Sequence, residues 1–365
     1  MSRRRIAYLT LQATREGQAA HAHVHEIIAG LEDLGWSVDL YEPAYHGRTR
    51  PSIIARLVEL RRVQRELARH LGDYDAVYLR GHPLAVTTSR RAAAARVPSV
   101  VECNGPTEDF FTAWPAARRM RFLIERWQRR QYQLAGAVVA VTTDLAHWVE
   151  EQTGRIDAVV IPNGANTDMF RPGTEPLANL PRRYAIFFGA LAAWQGVPTL
   201  LAAACEPSWP AGVSLVIAGD GALSSLVMAA AESDGVTVYA GSIPYADMPN
   251  AVGNALVSIS PQIPLKHGRS AVSPLKLFES MAAGVPVVVT DLPGLADTVR
   301  TAQCGIVVPP NDPRALANAV ASLVLHPAEA CSMGAKGRDA AVSQHSWRVR
   351  AEETSHVLES LIPQM

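Results

Sequence analysis

Two successive series of six short apolar runs, each followed by a longer amphipathic stretch, constrain this chain more than any other feature. Short β-branched runs bounded by turn formers suit strands buried on both faces, and amphipathic stretches between them suit covering helices. The first series reads as strands at 6–10, 37–41, 76–79, 99–102, 137–141 and 158–161, with helices expected at 20–34, 52–70, 116–134 and 144–152. The second reads as strands at 184–188, 214–218, 236–239, 256–260, 285–290 and 305–307. Between them lies Pro162-Asn163-Gly164-Ala165-Asn166, running on to Pro172-Gly173, Pro176 and Pro181. This cluster of turn formers lacks apolar periodicity and marks a boundary. The expectation is an α/β chain of two Rossmann-like, doubly wound domains, 1–165 and 183–346, joined by a linker at 166–182. A last amphipathic helix is expected at about 347–362, and a ligand would sit in a cleft at the carboxyl ends of both sheets.

The 365 residues leave room for two domains with sizeable cores. Net charge is +0, which excludes a strongly basic nucleic-acid binder. The charge is nevertheless uneven: residues 1–165 hold 22 Arg and no Lys against 18 acidic residues. The helix expected at 52–70 carries Arg56, Arg61, Arg62, Arg65 and Arg69, and Arg118 to Arg130 is similar. Such helices can sit on an anionic membrane surface, but more often pack in the core with solvated charges, as the interleaved Glu59, Glu66 and Glu125 suggest. Cys103, Cys205, Cys304 and Cys331 form no C-x-x-C pair, so neither a zinc ribbon nor a disulfide framework is indicated. With no apolar run near the length of a spanning segment, the expected location is the cytoplasm, including the inner face of the membrane.

The densest chemical signal is Ser273-Pro274-Leu275-Lys276-Leu277-Phe278-Glu279, followed by Gly284 and the strand ending at Asp291. Ser273 suits an N-cap and Pro274 a first helical position, with Gly284 ending the helix. Lys276 then lies in the first turn, where free N–H groups and the dipole already favour an anion. Glu279 lies three residues on, on roughly the same face. A cation there suits a diphosphate, and a carboxylate one turn deeper suits vicinal sugar hydroxyls.

These residues resemble the donor-binding motif of retaining glycosyltransferases of family 4, in the branch written S-P-x-K-x-x-E. The resemblance extends in order along the chain. Val160-Ile161-Pro162-Asn163-Gly164 through Phe170-Arg171-Pro172, Phe187-Phe188-Gly189-Ala190-Leu191, Trp194-Gln195-Gly196-Val197, Leu215 to Gly221, and Val238-Tyr239-Ala240-Gly241 are each similar to a family segment. It implies the GT-B fold, with the final helix crossing back to the first domain. The implied activity is transfer of a sugar from a UDP- or GDP-linked donor to an acceptor hydroxyl, with retention, no metal and no cofactor. On the donor side it implies Gly17, Gly189, Gln195, Gly219, Gly241, Ile243, Arg269, Ser273 and Leu277, with Lys276 and Glu279 also catalytic. On the acceptor side it implies His21 and Asn104, with His82, Glu102 and Asn104 as candidates for holding the sugar or acceptor.

Rival motifs are weaker. Gly17-Gln18-Ala19-Ala20-His21 is not G-x-G-x-x-G, which counts against a nicotinamide enzyme. His21 and His25 have two-histidine spacing but no third ligand. Asp73-Tyr74-Asp75 matches a D-x-D metal motif yet reads as a helix-to-strand turn. Ser273-x-x-Lys276 matches an acyl-enzyme signature whose S-D-N and K-T-G companions are missing. The chain also departs from the family pattern: Ala190 and Gln195 stand where two cations are usual, and Ala271 where a first glutamate is usual. Lys276 could replace the missing charge, with Lys266 or Arg269. The departures keep two alternatives open, a catalytically weak nucleotide-sugar-binding relative or partner subunit, and a nucleotide-sugar epimerase on the same fold.

Overall fold

The structure is a computed structural model that describes residues 4–14, 19–45, 52–264 and 274–362. It divides into two compact units, Met1–Pro162 with Arg350–Met365, and Asn163–Val349.

The first unit runs β1 (Arg5–Leu9), α1 (Ala19–Asp33), β2 (Ser37–Tyr41), α2 (Ile53–His70), β3 (Ala76–Arg80), α3 (Val86–Ala95), β4 (Ser99–Cys103), α4 (Thr107–Ala113), α5 (Arg121–Leu134), β5 (Ala137–Ala140), α6 (Thr143–Thr153) and β6 (Ala158–Val160). Its sheet is parallel, in the order β2-β1-β3-β4-β5-β6. Helix starts follow the capping rule: the hydroxyls of Ser52 and Thr142 accept from the N–H groups of Ala55 and Leu145. Leu60, Val63 and Leu67, at helical spacing, carry the buried face of α2. The stretch expected as one helix over 116–134 is instead a 3-10 turn, Pro115–Met120, and then α5. Met120, at φ −110° and ψ 25°, leaves the α region and separates the two.

The second unit runs β7 (Tyr184–Phe188), α7 (Val197–Ala204), β8 (Ser214–Ala218), α8 (Ser224–Ser233), β9 (Thr237–Gly241), α9 (Met248–Gly253), β10 (Val257–Ser260), α10 (Leu275–Ala282), β11 (Val287–Thr290), α11 (Leu295–Ala302), β12 (Gly305–Val308), α12 (Pro313–Leu325) and α13 (Pro327–Gln344). Its sheet is also parallel, ordered β12-β11-β10-β7-β8-β9. Helices on both faces explain the unbroken apolar runs. Tyr184, Ile186 and Phe188 enter one core with Phe278 and Met281, while Ala185 and Phe187 enter the other with Leu200 and Leu316. The chain returns to the first unit within α14 (Trp347–Leu361), where Ser355 accepts from the Trp36 indole N–H at 2.9 Å.

Three further sequence expectations need correction. The segment 166–182 is no free linker but part of the second unit: Phe170 is fully buried in its core, and Met169, Leu177 and Leu180 pack beside it. Helix α10 begins at Leu275, one residue later than expected, because Pro274 has an extended ψ of 89° and only flanks it. At the other end Gly284 adopts φ +73°, and the N–H groups of Gly284 and Val285 close onto the carbonyls of Met281 and Ser280. That double closure spends Val285 on the helix cap, so β11 starts at Val287 and not at 285.

Candidate active site

In the second sheet, β8 follows β7 on one side and β10 lies on the other, so the β7/β10 junction is where the winding reverses. Open α/β sheets bind ligands at the carboxyl end of such a junction. Three glycines open it. Gly189 follows β7 at φ +121° and its N–H donates to Ala218 O at 2.9 Å. Gly219 follows β8 at φ +144°, and a Cβ there would lie 1.9 Å from the carbonyl oxygen of Gly189. Gly241 ends β9 at φ +63° and accepts from the N–H of Gly219 at 2.7 Å. Backbone therefore meets backbone between Gly219 and Gly189, and a side chain at Gly219 would prevent it.

Lys276 completes the edge from the first turn of α10. Its Nζ donates to Gln195 Oε1 at 2.7 Å, lies 4.1 Å from the centroid of the Phe187 ring, and would be 3.3 Å from a Cβ on Gly189. Burial pushes the amine down to about 7, with the Glu279 carboxylate pulling the other way. Glu279 is 7% exposed and accepts from Tyr245 Oη at 3.2 Å. Gln195 is itself buried, in the 3-10 turn after β7. The arrangement can hold an anion against one charged nitrogen, oriented backbone and a helix start, with a carboxylate one turn away.

Of the donor-side residues expected from sequence, the structure brings together Gly189, Gln195, Gly219, Gly241, Lys276 and Glu279. Leu277 is 1% exposed, so its side chain is a core contact. Ile243 is partly buried against the same core. Gly17, Lys266, Arg269 and Ser273 lie outside the described residues. Sequence reasoning missed Tyr245, Phe187 and Tyr239, whose hydroxyl donates to Gly219 O at 3.0 Å. The cue for Tyr245 was available, since Ile243-Pro244-Tyr245 follows the strand that ends at Gly241.

In the first unit the acceptor-side candidates sit past the carboxyl ends of β3 and β4 or on α1. His82 caps the turn after β3, its Nδ1 accepting from the N–H of Leu84, and its ring meets Phe110 edge-on at 5.3 Å. Burial, aided by the nearby Arg56 cation, pushes it down to about 4, which leaves a neutral imidazole at neutral pH. Glu102 needs correction as a substrate contact: it is 1% exposed and its oxygens are taken by protein groups. Burial opposes its charge, but His23, Arg80 and Tyr78 outweigh that and hold it at about 2. Asn104 is half-buried beside it. His21 packs against His25 with ring centroids 4.0 Å apart, and no group of three metal-ligating side chains occurs among the described residues. Asp75 precedes β3 and accepts from the N–H of Arg5 at 2.8 Å, at the opposite end of the sheet from His82.

Two parallel six-stranded units of this kind, with a basic helix start at the second switch point, define the GT-B class of glycosyltransferase folds. Residues 182–326 match the family described as glycosyl transferases group 1, and residues 20–169 match glycosyltransferase family 4. Together the matches span most of the chain, which belongs to these glycosyltransferases. It is 29% identical over 212 residues to the GDP-mannose-dependent alpha-(1-6)-phosphatidylinositol monomannoside mannosyltransferase of Mycobacterium tuberculosis, covering 54% of each chain. The chain thus spans about half the length of this curated relative. Among solved structures it resembles sucrose-phosphate synthase from Thermosynechococcus elongatus, with TM-score 0.75, 18% identity and coverage of 98% and 99%. It also resembles Anabaena HepE in complex with UDP and glucose, with TM-score 0.71, 16% identity and coverage of 98% and 100%.

The depressed Lys276 amine has a consequence for stability. The native state binds fewer protons than the unfolded chain between about pH 7 and the ordinary lysine value of 10.5, so stability should rise with pH across that window. Urea-unfolding midpoints measured from pH 7 to 10 should climb more steeply for wild type than for Lys276→Met. Equal slopes would show that the amine is solvated.

Proposed function

We propose that this protein is a retaining glycosyltransferase that moves a sugar from a nucleoside diphosphate sugar to an acceptor hydroxyl. The observation that carries the reading is the position of Lys276 Nζ, beside Gly189 and on Gln195, with Glu279 one turn deeper. The diphosphate would lie on the glycine edge against Lys276, and the ribose hydroxyls would donate to Glu279. The GDP-mannose dependence of the mycobacterial relative and the UDP and glucose bound in the HepE structure support a nucleotide-linked sugar and leave the base open.

The reaction passes through an oxocarbenium-like transition state as the diphosphate departs. Catalysis then consists of stabilising the leaving charge, and Lys276 supplies it where Ala190 and Gln195 do not. An amine poised near neutrality gains its proton as the dianionic group arrives, so its attraction grows with charge on the leaving oxygen. No metal is required by this scheme, and the departing phosphate oxygen takes the acceptor's proton. The weak-relative alternative draws on the same Ala190 and Gln195, and turnover decides between them.

Isothermal titration with UDP and GDP, followed by turnover assays with their sugars in EDTA, tests the reading. Glu279→Ala should weaken nucleotide binding by about 1.5–3 kcal/mol, the range for a charge-assisted hydrogen bond. Lys276→Ala should lower kcat by about 10²–10³ with a much smaller loss of affinity. Unchanged affinity and rate in both variants, or activity abolished by chelation and restored by manganese, would overturn it.

The first unit supports a membrane-borne acceptor. On α2, Ile54 and Val58 are 76% and 61% exposed, and Arg61, Arg65 and Arg69 continue the same helical stripe. Phe122 on α5 is 80% exposed among further arginines. No helix among the described residues is long and apolar enough to cross a membrane, so the contact inferred is peripheral. In sedimentation assays the protein should pellet with vesicles containing phosphatidylglycerol and much less with phosphatidylcholine alone. Ile54→Ser with Val58→Ser should weaken binding about tenfold. Wild type left in the supernatant with anionic vesicles at low salt would contradict this contact.

A further inference from the structure

The first unit contains a buried carboxylate that no step above uses. Glu102 lies on β4, is 1% exposed, and gathers polar neighbours from β3, α1 and the loop that follows β4. Its Oε2 accepts from Tyr78 Oη on β3 at 2.5 Å and lies 2.9 Å from His23 Nε2 on α1. Its Oε1 accepts from Asn104 Nδ2 at 2.5 Å and lies 3.5 Å from an Arg80 guanidinium nitrogen. Tyr78, Arg80 and Glu102 share one face of the sheet, because Arg80 pairs with Glu102 across β3 and β4 and Tyr78 stands two residues earlier.

An ionised carboxylate only accepts hydrogen bonds. Asn104 must therefore turn its NH₂ inward to Glu102, which settles the orientation of an amide whose two ends are otherwise similar in shape. Asn104 Oδ1 is left as the outward polar atom, and among the described residues no protein group donates to it. Asn104 is half-buried and sits just past the carboxyl end of β4, the edge of a doubly wound sheet where ligands bind. A carbonyl oxygen at that edge selects a hydrogen-bond donor, such as a neutral hydroxyl, and disfavours a phosphate or carboxylate.

We propose that Glu102 is a positioning residue: it locks the Asn104 amide so that Oδ1 accepts a hydrogen bond from a sugar hydroxyl during transfer. Burying a carboxylate is costly, and its four polar neighbours offset that cost only when all are in place. The network is thus all-or-none, and the Asn104 orientation inherits its rigidity. His23 and Arg80 share the task by keeping Glu102 ionised. This inference rests on the glycosyltransferase reading for its ligand, while the lock itself is a property of the folded protein.

The test has two arms. In nuclear magnetic resonance spectra of the full chain, the Asn104 side-chain amide protons should exchange slowly with solvent. Glu102→Gln should weaken that protection, since the one amide oxygen left must serve Asn104, Tyr78 and His23 in place of two carboxylate oxygens. Glu102→Asp, which keeps the charge but withdraws the oxygen, serves if the glutamine variant does not fold. In the second arm, turnover of the nucleotide sugar that wild type uses should fall about 10- to 100-fold in Glu102→Gln, which is about 1.4–2.8 kcal/mol. The fall in Asn104→Ala should be similar, and the double variant should fall no further, whereas UDP or GDP affinity stays unchanged. Rapid Asn104 amide exchange in wild type, or additive losses in the double variant, would overturn the proposal. Loss of all nucleotide binding in wild type would instead sink the glycosyltransferase reading, with the exchange measurement still deciding the lock.

Discussion

The second unit depends on a contact that a single methyl group would forbid. A Cβ on Gly219 would stand 1.9 Å from Gly189 O, so the loops leaving β7 and β8 can touch only while residue 219 has no side chain. That approach brings the carboxyl edge of the sheet down to bare backbone and leaves Lys276 as the side chain that crosses it. The ammonium group then rests on Gln195 and the Phe187 ring, and no carboxylate among the described residues is paired with it. A cation held by a neutral amide and an aromatic face keeps its charge available, whereas one paired with a carboxylate has spent it. Among the described residues, Lys276 is thus a buried cation poised near neutrality beside positions 190 and 195, which carry no charge.

The first unit solves the opposite problem. There the buried charge is negative, and it is surrounded by donors until none of its oxygens is left for a ligand. Its effect can reach a substrate only through the groups it holds, Asn104 foremost. A cation left open in one unit and an anion closed in the other follow from how many partners each is given within its own core, not from depth alone: Glu279, at 7% exposure, also has a tyrosine partner.

Much of the fold was legible because parallel strands covered on both faces leave continuous apolar runs. Tyr184–Phe188 and Ser214–Ala218 are found as read, and the turn formers after each run mark the loops. The Lys276 and Glu279 pair was legible because first-turn position and three-residue spacing are local facts. Non-local facts were not. The segment around Phe170 is rich in turn formers, yet its aromatic ring fills the second core, and no local pattern announces a core residue within a loop. Glu102 was expected at the site from the family resemblance, while three of the groups that hold it lie far away in sequence at His23, Tyr78 and Arg80. Helix starts moved by a residue for a reason the alphabet does carry: proline can flank as well as begin a helix, and ψ decides which.

The central claim is that a nucleoside diphosphate binds on the bare backbone edge beside Lys276. Hydrogen–deuterium exchange with and without saturating UDP or GDP tests it most directly, since it locates the ligand without needing an acceptor. The account predicts slowed exchange in the loops at Gly189 and Gly219 and in the first turn of α10, with the amino ends of the second sheet unchanged. Protection confined to the first unit, or none under conditions where calorimetry detects binding, would contradict it.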